Sequence, residues 1–185
     1  MNPFDLAWLV WLLIWIAAWA WSKRAQRREG FASGIWHVLP FMAAVVLISA
    51  DRLPWSVLYE PVVAYQRAFY TIGLVLTVAG LAFSVWARFF LGSNWSAAVQ
   101  VKTDHQLVRS GPYRFVRHPI YTGILLAFAG TALAQDQWRS VLAVVLLVAG
   151  LVYKLRVEER WMIETFGEAY RDYRRHTRAL IPFVY

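Results

Sequence analysis

Two polar segments in an otherwise apolar chain hold the residues that could do chemistry. The first runs from His105 to Gly123 and reads HQLVRSGPYRFVRHPIYTG. It carries Arg109, Arg114 and Arg117, His105 and His118, Pro112 and Pro119, and Tyr113 and Tyr121. A bilayer core does not tolerate that density of charge and proline. The segment therefore reads as a polar loop at a membrane surface, leading directly into an apolar helix. The second segment begins at Lys154 and holds Arg156, Glu158 and Glu159 about one turn beyond an apolar run. Adjacent carboxylates on a helix point about 100° apart, so one can turn inward while the other meets solvent or a basic partner such as Arg156. An inward carboxylate near lipid headgroups needs a cationic partner, either Arg117 or the ammonium of a ligand. An ion-pair network tying the loop to the helix satisfies the same spacing.

Several chemistries are excluded by what the chain lacks. It has no cysteine, hence no thiol nucleophile, thiolate metal site or disulfide frame. His37, His105, His118 and His176 show no HExxH-type spacing, so no metal site is expected. No GxGxxG follows a strand, and there is neither a phosphate-binding loop nor a serine elbow. Pro119 suits the first turn of a helix, where its missing N–H costs nothing, and His118 then stands at the helix entrance.

The elements that must position these groups are membrane helices. The chain is 59% hydrophobic and only 16% charged, away from the balance of soluble domains and towards an integral membrane protein. Apolar runs predict spans over Leu6 to Trp21, Ile35 to Ala50 (with Pro40 inside), Ala68 to Leu91, Ile120 to Ala134 and Val141 to Tyr153. MNPFD lacks the basic residues of a signal peptide, so the first run reads as a retained span. Trp8, Trp11, Trp15 and Trp19 share a helical stripe, read as packing. Gly73 and Gly80 offer close helix contacts. Asp51 to Trp55 and Gln135 to Arg139 read as outer turns, and residues 55–67 as an interfacial segment. Beyond Tyr153 the fifth helix is expected to continue into the cytoplasm and lead to an amphipathic surface helix with Phe166, Tyr170 and Tyr173 on one face. Ile181, Pro182 and Phe183 form an apolar tail that returns to the membrane or caps the site. The net charge of +8 comes from Lys and Arg that cluster at alternate ends of these spans. By the positive-inside rule this places the N-terminus outside, the C-terminus inside and both polar segments in the cytoplasm. The same distribution argues against nucleic-acid binding. The expectation is one all-α integral membrane domain over residues 1–185, with three spans in 1–91 and the cofactor loop, two spans and the C-terminal helix in 92–185.

The motif HxLVxxGxYxxxRHPxYxG, followed by Glu158-Glu159, FGxxYxxY and Arg178-Ala179-Leu180-Ile181-Pro182, resembles the isoprenylcysteine carboxyl methyltransferase family and its relatives, the membrane phospholipid N-methyltransferases. The resemblance covers Gln100 to Pro182. It implies a membrane enzyme that binds S-adenosylmethionine without a nucleotide-binding Rossmann fold. Carried over position by position, it implies cofactor contacts at Gln100, His105, Gln106, Leu107, Val108, Tyr113, His118, Pro119, Ile120, Tyr121 and Glu158. Glu158 suits the cofactor ammonium, and His118 or the N–H groups at the helix start suit its carboxylate. The face of Tyr113 or Tyr121 suits its sulfonium. The prenylcysteine enzymes place an arginine for the substrate carboxylate four residues before the first glutamate. Here Lys154 stands there, with Arg156 two residues on, so either is a candidate for the acceptor anion. Glu159 or His118 would take the proton of an amine acceptor. The acceptor is expected to be lipophilic and to enter from the bilayer of a bacterial or archaeal inner membrane. The alternatives are an NADPH-dependent enzyme like the sterol reductases and a non-catalytic membrane scaffold.

Overall fold

The computed structural model describes residues 1–19, 25–28, 31–63, 67–92, 100–102 and 107–181, the segments 25–28 and 100–102 by their backbone. The chain runs α1 (Pro3–Trp19), β1 (Ala25–Arg28), α2 (Phe31–Ser49), a 3-10 turn (Ser56–Tyr59), α3 (Arg67–Leu91), β2 (Gln100–Lys102), a second 3-10 turn (Gly111–Arg114), α4 (Pro119–Gln135), α5 (Trp138–Phe166) and α6 (Glu168–His176). The expected helices are present, with shifted ends. α1 starts before Leu6 because Asn2 and Asp5 cap it reciprocally: the Asn2 side chain accepts from the Asp5 N–H at 2.9 Å, and the Asp5 carboxylate accepts from the Asn2 N–H at 3.2 Å. α5 does continue past Tyr153 as one helix, about 43 Å long and so longer than a bilayer core.

The all-α expectation needs one correction. β1 and β2 pair antiparallel, with Ala25 opposite Lys102 and Arg28 opposite Gln100, and a bulge between Ala25 and Arg27. This small sheet joins the α1–α2 connection to the approach to the loop before α4.

The surface is inverted relative to that of a soluble protein. Leu13, Ile16, Leu39, Val75 and Val145 are all more than half exposed, whereas Thr77, Ser84, Thr131 and Ser140 are buried. Large apolar side chains point outward and small or hydroxylated ones line the helix contacts, as in bilayer proteins. Among the described residues, α3 and α5 are long and apolar enough to cross a membrane, and the apolar parts of α1, α2 and α4 are shorter. The chain is therefore a helical membrane protein.

Packing centres on α3 against α4. Gly73 meets the Gly130 carbonyl and Gly80 meets the Gly123 carbonyl so closely that a Cβ on either would lie 2.5 Å from that oxygen. Thr77 donates to the Ala127 carbonyl at 3.2 Å across the same seam. α1 packs on α3, and α2 packs on α5. Trp8 and Trp11 of the predicted stripe do pack against the core, and their indole N–H groups find Thr131 at 3.2 Å and Ser84 at 2.8 Å. At the end away from the start of α4, the Arg139 guanidinium and the Gln135 amide cap the Leu47 and Ile48 carbonyls of α2. The segment after the 3-10 turn crosses this end, with Val62 and Val63 donating to Asp136.

Candidate active site

The loop before α4 is anchored before it offers anything to a ligand. Gly111 has φ +58, and a Cβ there would lie 2.4 Å from the Phe90 ring, so only glycine suits both the backbone and the space. The Tyr113 ring is buried, and its hydroxyl points at the Ala87 carbonyl of α3 at 3.4 Å. Tyr173 of α6 donates its own hydroxyl to the Tyr113 carbonyl. Burial, chiefly, pushes both hydroxyls well above the ordinary tyrosine range, so each remains a protonated donor. Arg109 reaches α6 as well, donating to the Ala169 carbonyl, lying 3.5 Å from the Asp172 carboxylate and 5.6 Å over the Tyr173 ring.

The C-terminal segment then straps the loop down. Val116 and Arg178 form a parallel bridge. The Arg117 N–H donates to the Arg178 carbonyl at 2.8 Å and the His118 N–H to the Ala179 carbonyl at 3.0 Å. Thr122 donates its hydroxyl to the Leu180 carbonyl at 2.7 Å, and the Arg117 guanidinium donates to the Thr177 carbonyl. The N–H groups of Arg117 and His118 are thus taken by the protein itself. The His118 ring is engaged as well, with Nε2 3.3 Å from Glu159 and Nδ1 3.6 Å from Glu158, so the expected alternative of His118 as the partner of an anion meets a carboxylate at each ring nitrogen. Of the apolar tail, Ile181 is exposed, and Pro182 and Phe183 lie outside the described residues.

Glu158 and Glu159 both face this loop, so neither is left to solvent or to Arg156. The loop wraps round the end of α5 and meets both helical phases. Arg117 brackets Glu159 Oε1 with Nε at 2.7 Å and Nη2 at 2.6 Å, and both side chains are only 9% exposed. His118 Nε2 lies 3.3 Å from the same oxygen, and Arg174 Nε lies 3.4 Å from Oε2. Glu159 is therefore saturated by cations. Glu158 differs: Tyr121 donates to its Oε1 at 2.5 Å, its Oε2 lies 3.6 Å from His118 Nδ1, and its side chain is 20% exposed. His118 stands between the two carboxylates and stacks on Tyr121, with ring centroids 5.5 Å apart and planes 6° from parallel. Lys154, one turn before Glu158, holds its ammonium 5.3 Å from the centre of the Tyr121 ring. The arrangement offers one partly open carboxylate, a stacked imidazole–phenol pair and a lysine one helical turn from that carboxylate.

Of the residues expected at the site, the structure brings together Lys154, Glu158, Glu159, His118 and Tyr121, with Pro119 and Ile120 buried in the first turn of α4. Tyr113 lies beneath them, and Val108 packs against the same core as Ile120 and Tyr121. Leu107 is half-buried. The Gln100 backbone is in β2, while its side chain, His105 and Gln106 lie outside the described residues. Arg156 is exposed, two residues and so about 200° round α5 from Lys154. Sequence reasoning passed over Thr122 and Arg174. Arg174 sits in a basic run that reads as solvated surface, yet Tyr170, Tyr173, Arg174 and Thr177 recur at helical spacing, a pattern that marks an inward face.

Comparison with known proteins covers the loop before α4 and the paired glutamates of α5. A family model described as phospholipid methyltransferase matches residues 68–169, more than half of the chain and everything from α3 into the start of α6. A probable protein-S-isoprenylcysteine O-methyltransferase from Oryza sativa subsp. indica is 24% identical over 85% of this chain and 84% of its own. The protein-S-isoprenylcysteine O-methyltransferase of Saccharomyces cerevisiae is 31% identical over 78% of this chain, which spans 64% of the yeast protein. The steroid 5-alpha-reductase DET2 of Solanum lycopersicum is 29% identical over 62% of this chain and 42% of its own. With the paired glutamates and the strapped His-Pro loop inside the matched region, the chain belongs to the phospholipid methyltransferase family, among its isoprenylcysteine O-methyltransferase relatives, and is a membrane methyltransferase.

Proposed function

We propose that the protein transfers a methyl group from S-adenosylmethionine to a lipophilic acceptor that reaches the site from the bilayer. The observation that carries this reading is the difference between the two glutamates. Glu159 is neutralised by Arg117, whereas Glu158 is held by a phenol and remains partly open. A partly open carboxylate beside stacked aromatic rings suits a ligand carrying an ammonium and a sulfonium. Bound there, S-adenosylmethionine supplies an already activated methyl group, so the protein has to align two reactants and exclude water.

Glu158 receives the ammonium, and the Tyr121 hydroxyl fixes the carboxylate that does so. The Tyr121–His118 ring pair lies beside the reacting centre. Lys154 orients an acceptor carboxylate as a point charge, where a planar guanidinium would impose a bidentate geometry. Bound S-adenosylmethionine would supply the methyl group, leaving its sulfur with the bonding pair, while Glu158 and Tyr121 would hold the cofactor and Lys154 the acceptor in line. A carboxylate acceptor releases no proton. An amine acceptor does, and His118 is the group placed to take it, because Glu159 is already bracketed by Arg117. The acceptor is the carboxylate of a prenylcysteine-like molecule or a lipid amine. The remaining apolar helices cross the same membrane as α3 and α5, giving five spans. The N-terminus is outside and the site faces the cytoplasm of a bacterial or archaeal inner membrane.

The tomato reductase relative keeps a nicotinamide-dependent reading in view. Glu158 argues against it, because a ligand bearing several phosphates would bring them beside a partly open carboxylate. Calorimetric titration of the detergent-purified protein tests the choice. Saturable S-adenosylhomocysteine binding that is lost in Glu158→Ala is expected. NADPH binding in its place would overturn the proposal in favour of the reductase, and binding of neither would favour a scaffold.

A further inference from the structure

The outward face of α5 changes character where the helix leaves its apolar run. At about 100° per residue, Val145, Val148, Arg156 and Arg160 fall within about 120° of one another round the helix. Val145 is 57% exposed and Val148 36%, so this stripe meets the apolar surroundings of the bundle. Further along the same stripe, Arg156 and Arg160 are exposed. The rise from Trp138, where α5 starts, to Arg156 is about 27 Å, close to the ~30 Å thickness of a bilayer's hydrocarbon core. The two guanidinium groups therefore emerge at the depth of the lipid phosphates, on the side of the Glu158 site.

Neither arginine serves the site already described. Lys154 is the cation over the Tyr121 ring, and Arg156 points about 200° away from it round α5. Among the described residues, neither guanidinium has a hydrogen bond, an ion pair or a ring contact. The other exposed arginines nearby are paired. Arg171 and Arg175 lie 2.7 and 3.9 Å from Glu168, Arg109 lies 3.5 Å from Asp172, and Arg174 lies 3.4 Å from Glu159. Glu164, one turn beyond Arg160 and about 40° further round, leaves the pair with a net positive charge. Like charges four residues apart on a helix repel, so an anion between them relieves the pair. An anion that also suits the valine stripe below must carry a hydrocarbon chain.

We infer that Arg156 and Arg160 bind an anionic membrane phospholipid, its phosphate between the two guanidinium groups and one acyl chain along Val148 and Val145. The inference rests on the chain being a membrane protein and is independent of what the Glu158 site binds. Lys154 and Glu158 stand on the opposite side of the same helical turns, so the lipid ties the part of α5 that carries them to the headgroup plane.

Native mass spectrometry of delipidated protein tests it, with phosphatidylglycerol as the probe and phosphatidylcholine of identical chains as the zwitterionic control. The wild type is expected to retain phosphatidylglycerol about tenfold more than phosphatidylcholine, the discrimination two arginines at a membrane surface provide. Joint Arg156→Gln and Arg160→Gln substitution should abolish the preference, whereas Arg156→Lys with Arg160→Lys should keep most of it. Arg171→Gln with Arg175→Gln removes the same charge from the same end, but from arginines already paired with Glu168, and should leave the preference intact. Thermal midpoints in detergent should be unchanged, since Arg156 and Arg160 are exposed. Equal retention of the two lipids by the wild type would overturn the inference. So would a preference indifferent to the Arg156 and Arg160 glutamine pair, or one lost equally in the α6 pair, which would assign it to net charge. Displacement of the lipid by inorganic phosphate would give the arginines to a soluble anion, and displacement by hexaglutamate would give them to an acidic protein segment; either result overturns the lipid.

Discussion

Two neighbouring glutamates perform different physical tasks, and substitution should separate them. Glu159 neutralises a buried guanidinium, so Glu159→Gln leaves Arg117 charged, enclosed and short of its main partner. Breaking such a pair from one side costs on the order of 3 kcal/mol. A marked fall in thermal midpoint is expected, partly restored when Arg117→Gln is added, because removing both charges removes the uncompensated one. Additive losses in the double variant would argue against the pairing. Glu158 is positioned by a phenol. Tyr121→Phe keeps the ring beside His118 and Lys154 and deletes only the 2.5 Å hydrogen bond. A hydrogen bond to a charged group contributes about 1.5–3 kcal/mol to stability and this one is present without ligand, so the variant should lower the thermal midpoint and, with Glu158 no longer fixed, weaken S-adenosylhomocysteine binding. Unchanged affinity would remove Tyr121 from the site. Arg117 as the cation for an inward glutamate was legible in the sequence. Which glutamate it meets was not, because the rotational phase of α5 at its charged end depends on where the loop crosses it.

Among the elements, the α3–α4 seam sets the position of the site, since α4 begins with it and α3 ends under Tyr113. A Cβ on Gly80 would lie 2.5 Å from the Gly123 carbonyl and 2.6 Å from the Ala127 nitrogen, both backbone atoms that cannot swing aside. Gly80→Ala should therefore force the helices apart and cost roughly 1–3 kcal/mol, read as a lower thermal midpoint. Val75→Leu, on the exposed face of the same helix, should stay within about 0.5 kcal/mol. Equal effects would mean that the seam is not tightly closed. These close contacts were readable from glycine spacing within an apolar run. The β1–β2 pairing was not: AQRR and QVK are short, polar and far apart in sequence, so neither periodicity nor turn chemistry marks them. The strap was half visible. Its motif was recognised, but carbonyls of Thr177, Arg178, Ala179 and Leu180 do the holding, and carbonyl use has no side-chain signature.

For the molecule as a whole, orientation decides whether the Glu158 end can serve as a cytoplasmic reaction site. The two ends differ in charge. Around the Glu158 end stand Arg109, Arg117, Lys154, Arg171, Arg174 and Arg175, whereas the opposite end carries Asp5, Asp51 and Glu60 beside Arg52, Arg67 and Arg139. Cytoplasmic loops keep the excess of cations, so the proposed orientation puts Glu60 outside and α6 inside. The chain contains no cysteine, and single cysteines can therefore report sidedness without background. Glu60 and Arg175 are both exposed, at opposite ends of the bundle. A membrane-impermeant maleimide should label Glu60→Cys in intact cells and label Arg175→Cys only after lysis. Labelling of both positions before lysis would deny that the bundle separates two compartments, and the reverse pattern would invert the molecule. Inversion would carry the Glu158 site away from cytoplasmic S-adenosylmethionine, so the same experiment bears on the chemistry: the proposed reaction requires α6 and the strapped loop to face the side where that cofactor is made.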